Sequence, residues 1–458
     1  MNASMHNGFA LAAALSCAAA SALARPWEYA VIDIGDLGYG ASARAINELG
    51  EITGTADDGD ITSFFWSEPG PMLGLEGLPG ADGWARGWAI NRSGWIAGEA
   101  WDASHVIQPV IWKAEAEPSE VLDDSWLGGQ CEDVNDAGVV VGSAQWDLGE
   151  GQYVWNGFVW SEGQLARLRG LLGYGSSAGT KAINSRGHIA GSSDDIDSLA
   201  IAVLWRGSEV IRLGDLGRPF SAASDLNDFD QVVGWSYDEE SPVHTHAFLW
   251  NDGTMVDLHG LGRDSYAEGI NNFGEVVGWS TFSDTPYDWT GFRWRAGEGM
   301  IDLNRRTPPN CPYAMIVAED INDAGQIVGS ATYNGSTWAD WAILLTPVHP
   351  SMTLTPTGGA LVAGRMNELV IRGATPGKRV YFAYSEQGGG SYIPGCTLQE
   401  NALQLQDPKT LGSAVADADG VARLQRYIPR PALGRTLLLQ AVVPGECAVS
   451  ELVMFTIE

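Results

Sequence analysis

Cationic residues are scarce in this sequence. It contains 26 lysines and arginines against 57 aspartates and glutamates, which gives a formal net charge of −31 at pH 7. A surface of that sign repels the phosphate backbone of nucleic acids, so we do not expect nucleic-acid binding. The same acidic surface favours cationic partners or serves solubility alone.

Cysteines are also few, five in all. Cys17 lies in an apolar N-terminal segment, and the other four form no C-x-x-C pair and no pattern with a histidine partner, so we do not expect a zinc site. In an exported protein four cysteines allow disulfides. We predict a disulfide between Cys396 and Cys447, which share the C-terminal region, and the pairing of Cys131 and Cys311 stays open.

Long hydrophobic runs are absent beyond the N-terminus. Residues 9–24, FALAAALSCAAASALA, are apolar and end in small residues, as in a secretory signal peptide. This run is short for a membrane span, and no later segment approaches about 18 consecutive apolar residues. We therefore predict a signal peptide over residues 1–24, a secreted or cell-surface location and no transmembrane segment in the mature chain. Lipidation at Cys17 is an open alternative.

Signatures of nucleophilic catalysis are lacking as well. Residues 175–179, GSSAG, match G-x-S-x-G, but they come directly before a predicted strand of the fourth repeat and not between a strand and a helix, so they form no nucleophile elbow. His244 and His246 form an isolated pair, which packing or surface exposure explains more simply than metal binding. No pair of carboxylates is set apart from the others by its context. We therefore assign no catalytic residue and expect no cofactor, with calcium as the one open exception.

The sequence is rich instead in one repeated motif. An apolar residue, Asn, two variable positions, Gly, one residue, Ile or Val, one residue and Gly recur about every 45 residues. The motif asparagines are Asn47, Asn91, Asn135, Asn184, Asn227, Asn271 and Asn322. The period, with short β-branched segments between the motifs, is typical of four-stranded propeller blades and not of helix pairs.

The Asn-x-x-Gly step predicts a tight turn between two strands. An Asn side chain bonds the backbone two residues on, and Gly accepts the positive φ that closes a hairpin. Asp230 replaces this Gly in the fifth repeat and is among the few residues that tolerate positive φ. We expect the last Gly of the motif to leave room for a bulky neighbour, such as the Trp that recurs in the third strand.

The ends of the repeat array predict how it closes. The seventh repeat stops near Pro347 without a fourth strand, and an unassigned strand, Tyr29–Ile34, precedes the first repeat. Pairing the two removes exposed sheet edges. We therefore predict an all-β fold: a seven-bladed β-propeller over residues 25–348, closed by the N-terminal strand, followed by a small β-sandwich domain over residues 349–458.

The repeats resemble a known family. The patterns D-L-G-x-L-G and I-N-x-x-G-x-V-V-G, with the tripeptide His246-Ala247-Phe248, are similar to the HAF family of extracellular repeat proteins, over roughly residues 29–347. The chain departs from the family pattern because only the fifth repeat has the His and because Leu303-Asn304-Arg305 replaces Leu-Gly before the seventh. The resemblance implies an exported repeat protein and brings no catalytic residues.

The loops between second and third strands are the expected binding surface. They are variable, acidic and aromatic, and variable loops on a rigid repeat scaffold commonly carry function. The candidate binding residues are Trp101, Asp102, Trp146, Asp147, Tyr237, Asp238, Tyr287, Asp288, Trp289 and Trp338. The candidate calcium ligands, which offer hard oxygens without EF-hand spacing, are Asp57, Asp58, Asp60, Asp194, Asp195 and Asp197.

These observations predict an exported, non-catalytic binding or interaction module. Its partner would be a glycan, a cell-surface polymer or a protein, held on the acidic, aromatic loop face. One alternative is a secreted carbohydrate-active hydrolase that uses paired carboxylates on that face. Loops that are merely solvated, without a ligand, remain a further alternative.

Overall fold

The computed structural model describes most of the chain from Tyr29 onward. The described residues are 29–57, 59–81, 83–113, 120–121, 128–197, 199–239, 244–282, 288–308, 311–336, 341–347, 353–357, 361–374, 377–385, 388–391, 403–405, 408–417, 420–443, 448–449 and 453–458. The predicted signal peptide, Cys396, Cys447, Asp58, Tyr287 and Trp338 lie outside them. Contacts divide the chain into a repeat domain that ends at Pro347 and a C-terminal domain that follows it.

Each motif repeat contributes four antiparallel strands, and the seven sets are called units 1 to 7; the strands of units 3 and 4 join in one eight-stranded sheet through a parallel bridge between Asn156 and Ala178. Unit 1 contains Ala41–Ile46, Ile52–Asp57, Ile61–Trp66 and Leu73–Leu75. Unit 2 contains Ala85–Ile90, Ile96–Trp101, Ile107–Trp112 and Glu120–Val121. Unit 3 contains Gly129–Val134, Val140–Gly149, Gln152–Ser161 and Gln164–Arg167. Unit 4 contains Ala178–Ile183, Ile189–Asp194, Ala200–Arg206 and Glu209–Gly214.

The remaining units follow the same order. Unit 5 contains Gly217–Leu226, Val232–Asp238, Thr245–Asn251 and Thr254–His259. Unit 6 contains Ser265–Ile270, Val276–Thr281, Trp289–Arg295 and Gly299–Asp302, then the 3-10 turn Leu303–Arg306. Unit 7 contains Tyr313–Ile321, Ile327–Tyr333 and Trp341–Pro347, completed by Tyr29–Asp33. The all-β prediction is confirmed, and the succession of four-stranded units is of the β-propeller type.

The first strand of the chain lies against the last strand of the repeat domain. Tyr29–Asp33 runs antiparallel to Trp341–Pro347, with Tyr29 opposite Pro347 and Asp33 opposite Ile343. This is the strand pairing expected from the missing fourth strand of the seventh repeat.

The final Gly of each motif is required by backbone packing, not by the repeated Trp. In every unit the register of the first strand shifts opposite this Gly, as at a β-bulge. A Cβ added to Gly278 would lie 1.9 Å from the carbonyl oxygen of Tyr266, and the other six motif glycines meet a first-strand carbonyl at 2.0 to 2.2 Å. A bulky third-strand ring is also among the nearest neighbours at three of these glycines: Trp112 at Gly98, Phe158 at Gly142 and Phe292 at Gly278. A bulky neighbour is therefore found at these three positions, and at Gly98 it is the recurring Trp.

The recurring third-strand tryptophans pack between neighbouring units. Trp112 of unit 2 is buried in a cluster with Ala45 of unit 1, and its Nε1 donates to the carbonyl oxygen of Glu76 at 2.8 Å. Trp205 repeats this contact with Arg169 at 2.9 Å. Such aromatic burial contributes much of the packing between adjacent sheets.

The motif asparagines form a ring of hydrogen bonds. Each side-chain Nδ2 donates to the backbone oxygen of the next unit's motif Asn at 2.9 to 3.2 Å, and Asn322 donates back to Asn47. In the first six units the side-chain oxygen also accepts the N–H groups two and four residues on, as Asn271 does from Phe273 and Glu275 at 3.0 Å, and Asn322 accepts that of Gln326. The motif is thus a turn, as predicted, and also a joint between units.

Three buried aspartates add further joints two residues before the motif Asn. Asp133, Asp225 and Asp320 each accept the N–H that follows them, and each accepts a second N–H from the next unit, those of Ile183, Ile270 and Ile46. Burial raises the pKa of Asp133 to about 7 and that of Asp320 to about 6, and it raises the pKa of Asp225 as well. The corresponding residues in the other units are Ala45, Ala89, Ala182 and Gly269.

The C-terminal domain is also built of strands. One sheet contains Thr353–Pro356, Arg365–Arg372 and Ala422–Ile428. A second contains Lys409–Val415, Arg379–Ser385, Thr436–Val443, Ala448–Val449 and Val453–Thr456. Gly388–Ser391 pairs with Leu403–Leu405, and Arg430–Ala432 is a 3-10 turn. Leu369 and Ile371 of the first sheet share one apolar cluster with Phe382 and Leu439 of the second.

Candidate binding surface

The alternation of strand direction gives each repeat sheet two different ends. One end, called the turn end, carries the Asn-x-x-Gly turns. The other, called the loop end, carries the loops between second and third strands and the links between units. Most predicted binding residues were chosen from the loop end, and the described ones lie there.

Trp101 and Asp102 lie together at the loop end of unit 2. Trp101 stacks on Trp84, with ring centroids 4.8 Å apart and planes 15° apart. Asp102 accepts the N–H groups of Ser104 and Val106 at 2.7 and 3.0 Å, and hydrogen bonding to Val106 is the largest cause that lowers the pKa of its carboxyl. Asp102 therefore shapes the loop, whereas Trp101 belongs to an aromatic cluster.

Tyr237 and Trp289 join a second aromatic cluster across units 5 and 6. Tyr237 stacks on Phe220 at 5.2 Å, and Trp289 lies 5.4 Å from Trp279, which stacks on Tyr266 at 4.2 Å. Trp289 is 44% exposed, so the outer end of this cluster faces solvent.

The remaining described binding candidates have mainly local partners. The carbonyl oxygen of Asp288 accepts the N–H of Phe282 at 3.3 Å. Asp238 is buried at the end of its strand, 3.6 Å from His246 Nε2. Trp146 Nε1 donates to the carbonyl oxygen of Asn156 at 3.2 Å, and Asp147 accepts the N–H of Gly149 at 2.7 Å in an exposed turn.

The candidate calcium ligands are held in loop turns of units 1 and 4. Asp57 accepts the N–H of Gly59 at 2.9 Å, and Asp60 is exposed. Asp195 accepts the N–H of Asp197 at 3.0 Å, and its other oxygen lies 3.6 Å from Arg212. Asp194 closes its strand through a backbone bond to Ser177. Within the described part of the chain, the one group of three or more convergent metal-ligand side chains is His246, Asp257 and His259. Calcium binding by these aspartates stays a prediction.

A recess of about 320 Å³ opens at the loop end between units 1 and 2. Tyr39, Asp57, Arg44, Arg86 and Trp88 contribute its larger side chains. Tyr39 is 74% exposed at the mouth, whereas Arg44 and Trp88 are half-buried in the wall. The recess therefore combines aromatic faces with charged and hydroxyl groups, which is the usual composition of a small-ligand site.

A continuous stack of rings and guanidinium groups leads into this recess. Trp101 stacks on Trp84, and the guanidinium of Arg86 lies 4.8 Å from the Trp84 ring and 5.9 Å from the Trp88 ring. Arg44 continues the stack 5.4 Å from Trp88. Cation–π contacts of this kind hold such side chains in fixed orientations. Among the residues of this stack, only Trp101 was singled out in the sequence.

The inner part of the stack joins a ring of polar residues three positions before the motif Asn. This ring contains Arg44, Trp88, Glu132, Lys181, Ser224, Glu268 and Glu319. Arg44 pairs with Glu319 at 2.6 Å and Lys181 pairs with Glu132 at 2.9 Å, each across a unit boundary. The position varies from repeat to repeat, and that variation within a constant motif was the signal that could have identified it.

Several carboxyls of this region have raised pKa values. Burial raises the pKa of Glu99 to about 7, and Arg86, 3.8 Å away, lowers it only partly. Burial and the neighbouring Glu319 raise the pKa of Glu268 to about 7, although Trp279 Nε1 donates to it at 3.0 Å. Burial raises the pKa of Glu319 too. Perturbed carboxyls are typical of functional sites, although these three are not among the residues that line the recess.

The turn end has its own cavity, of about 230 Å³, bordered by all seven units. Its walls are the motif asparagines, the buried Asp225 and Asp320, and the residues that follow each motif Asn. Several of the latter accept a backbone N–H from the preceding unit, as Asp136 does from Arg92 at 2.8 Å. Because these groups form hydrogen bonds between neighbouring units, their role at this cavity is to hold the units together.

Comparisons with known proteins give structural likenesses alone. No protein-family model matches the chain, and no curated protein matches it. A TolB protein from Agrobacterium tumefaciens is 13% identical over 50% of this chain and 88% of its own, with a TM-score of 0.39. An acylaminoacyl peptidase from Pyrococcus horikoshii is 11% identical over 73% of this chain and 58% of its own, with a TM-score of 0.44.

A third likeness is to the β-propeller domain of the Trilobed protease from Pyrococcus furiosus, which the chain matches at 13% identity. The match spans 58% of this chain and 95% of that domain, with a TM-score of 0.34. At these identities and TM-scores the likenesses carry no argument about activity. In the described residues no helix is long and apolar enough to cross a membrane.

Proposed function

We propose that this protein is an exported, non-catalytic binding module whose repeat domain holds a neutral glycan in the recess between units 1 and 2. The observation that carries the proposal is a stack of side chains whose inner members, Arg86, Trp88 and Arg44, line that recess, and whose outer members, Trp84 and Trp101, continue it beyond the wall. Sugar rings present apolar C–H faces with hydroxyl edges, which match aromatic faces flanked by fixed polar groups.

The charge balance of the recess favours a neutral ligand. The guanidinium of Arg44 is offset by Glu319 at 2.6 Å and that of Arg86 by Glu99 at 3.8 Å, while Asp57 also lines the wall. No excess of positive charge is left to hold an anion against the −31 charge of the chain. Hydroxyl groups, in contrast, can use both the donors and the acceptors of these pairs.

The architecture assigned to this module is a seven-bladed propeller closed by the N-terminal strand and followed by a β-sandwich. The ring of Asn bonds and the pairing of Tyr29–Asp33 with Trp341–Pro347 support the closure and the number of blades. The two sheets that share one apolar cluster support the sandwich. Membership of the HAF family and export of the protein remain parts of the proposal that rest on the sequence patterns.

Hydrolysis of a glycan is the second candidate function. The observation that favours it is the raised pKa, about 7, of both Glu99 and Glu268. A carboxylic acid protonated near neutral pH is what the general acid of a glycosidase requires. The two carboxyls lie within Coulombic range of the same Lys181.

The test is binding to a panel of neutral and uronic-acid oligosaccharides, measured by calorimetry with the purified protein. A neutral glycan should bind, and Trp88→Ala, which removes an aromatic ring from the wall of the recess, should weaken its affinity by at least about tenfold, because one hot-spot aromatic contributes more than about 1 kcal/mol. Trp155→Ala is the matched control, since Trp155 is an exposed tryptophan of unit 3 that does not line the recess. Circular dichroism should show both variants folded.

The outcomes separate the two functions. Equal affinity of Trp88→Ala and the wild type, or tighter binding of uronic-acid oligosaccharides, would contradict the assignment of a neutral glycan to this recess. Release of reducing sugar from the bound glycan, lost in Glu99→Gln or Glu268→Gln, would establish the hydrolase in place of the binding module.

A further inference from the structure

Unit 5 brings two histidines and an aspartate together at its loop end. His246 Nδ1 lies 3.0 Å and His259 Nδ1 lies 3.1 Å from the same atom, Asp257 Oδ2. All three atoms lie within 4.8 Å of one another. His246 is the second residue of the third strand and His259 is the last of the fourth, so adjacent strands bring the two imidazoles close together.

The carboxylate of Asp257 is oriented by the backbone. Its Oδ1 accepts the N–H of His259 at 2.6 Å, which turns Oδ2 toward the two rings. His259 itself has φ +58, a conformation that few residues other than Gly adopt. The register of the two strands shifts beside it, between Ala247 and Phe248, and this irregularity carries the His259 ring to the carboxylate.

A second carboxylate lies behind His246. Asp238 Oδ2 is 3.6 Å from His246 Nε2, on the side of the ring opposite Asp257. A histidine that binds a metal through one nitrogen commonly directs its other N–H at a carboxylate, which fixes the tautomer and the ring orientation. Asp238 was predicted as a ligand-binding residue of the loop face. The geometry suits it better to orienting His246.

We propose that His246, Asp257 and His259 bind a Zn²⁺ ion. In a tetrahedral zinc site with bonds of 2.0–2.1 Å, neighbouring ligand atoms are about 3.3 Å apart. The two nitrogen–oxygen distances of 3.0 and 3.1 Å are already close to this spacing between ligand atoms. The exposed ring of His259 can rotate to bring the two nitrogens together, since its side chain is 77% exposed.

The donor set selects the class of metal. Two imidazole nitrogens and one carboxylate suit late first-row divalent ions, whereas Ca²⁺ and Mg²⁺ prefer sites made only of oxygen ligands. Three protein ligands leave a fourth position for water or a ligand oxygen. This site lies in unit 5, away from the recess of units 1 and 2, so the inference is independent of the proposed glycan binding.

The test is a Zn²⁺ titration of the full-length protein after treatment with a chelator, in competition with a chromophoric zinc indicator. One Zn²⁺ ion should bind per chain. His259→Asn removes the imidazole and still tolerates positive φ, so it should fold and weaken binding by at least about 100-fold, whereas Asp238→Asn should weaken it by about tenfold. His105→Asn is the matched control, because His105 is an exposed histidine with the same φ of +58 in unit 2.

The geometry is tested by replacing Zn²⁺ with Co²⁺. Intense visible absorption bands, typical of tetrahedral Co²⁺, should be present in the wild type and His105→Asn and absent in His259→Asn. No Zn²⁺ binding, a wild-type affinity in His259→Asn, or the weak spectrum of six-coordinate Co²⁺ would each overturn the proposal. Melting temperatures measured without metal should be similar for all variants, which separates lost binding from lost folding.

Discussion

At the scale of the residue, asparagine is the side chain whose amide satisfies every bond of the repeat turn. The Oδ1 atom of Asn271 accepts two backbone N–H groups, and its Nδ2 donates to the oxygens of Asn322 and Glu275. Aspartate has the same shape but no N–H to donate, and serine is too short to reach both directions. Because the amide is buried, an unmade bond is costly.

Asn271→Asp should therefore destabilise the protein by about 3 kcal/mol, since a buried charge would face the carbonyl oxygen of Asn322 and the carboxylate of Glu275. Urea unfolding followed by tryptophan fluorescence measures the change. Asn251→Asp is the control, because Asn251 is an exposed asparagine at the end of a strand in the neighbouring unit 5. Equal stability of the two variants would show that the ring of bonds is not needed for folding.

Asp230 shows what could and could not be predicted for a single residue. Its positive φ, observed at +60, followed from the motif alone. Its partners did not: Asn184, Arg186, His188 and Arg206 of unit 4 all bond its carboxylate. Those residues precede it by 24 to 46 positions, so only the packing of two units reveals the cluster.

At the scale of the element, the bulge in the first strand of each unit depends on the motif glycine in the second strand. The bulge places a first-strand carbonyl oxygen at the position that a Cβ on this glycine would occupy. The close approach lets the two innermost strands of each sheet curve together.

Gly278→Ala should consequently destabilise the protein by about 3 kcal/mol, because the added methyl group would overlap the carbonyl oxygen of Tyr266 and must displace backbone. Thermal unfolding of the variant measures it. Gly179→Ala provides the comparison: that strand glycine has ordinary space, its nearest neighbour being Ser143 Oγ at 3.5 Å, so its substitution should be neutral or slightly stabilising. A neutral Gly278→Ala would show that the strands can relax.

Strand positions were largely predictable because alternation and turn residues are local. In the sixth repeat, alternation and turn residues predict strands at Ser265–Ile270, Glu275–Ser280, Gly291–Trp294 and Met300–Leu303. The first is observed with the same bounds, and the second and third are observed as Val276–Thr281 and Trp289–Arg295. The fourth strand of that unit was predicted as Met300–Leu303 and is observed as Gly299–Asp302. The difference arises because Asp302 caps a 3-10 turn that begins at Leu303, accepting the N–H of Asn304. The bulges were not predicted, since they depend on pairing between strands.

At the scale of the whole molecule, buried carboxyls accumulate around the inner strands. The pKa values of Asp133, Glu99 and Glu268 are raised to about 7 and that of Asp320 to about 6, chiefly by burial. A raised folded-state pKa stabilises the fold below the unfolded-state pKa, near 4, and that stabilisation is lost as pH rises through the folded-state value. Repulsion among the negative charges of a chain with net charge −31 also lowers the stability as the pH rises.

The melting temperature should thus fall as the pH is raised from about 5 to about 8. Glu268→Gln should reduce this slope, because it removes one of the groups that ionise in the folded protein over that range. Glu162→Gln, at an exposed hairpin turn, should leave the slope unchanged. Scanning calorimetry at several pH values decides, and a melting temperature that rises toward pH 8 would contradict the expectation.

The candidate site was the least predictable feature at this scale. Arg44 and Glu319, whose pair ends the stack in the recess, are 275 residues apart in the chain. Sequence reasoning placed the binding residues on the outer loops, where Trp101 was found. The inner residues of the stack lie on strands, and nothing local distinguishes them from packing residues until units 1, 2 and 7 are brought together.

The aspartates two residues before the motif Asn join successive units in pairs. Each one ties its own unit to the next, so that units 3 and 4, 5 and 6, and 7 and 1 are coupled as pairs. Seven is odd, and unit 2 is left single, with Ala89 at the corresponding position. That unit supplies Arg86 and Trp88 to the recess. The recess proposed to hold a ligand therefore adjoins the one unit that no aspartate of this kind ties to a neighbour, although its motif Asn still bonds to unit 3.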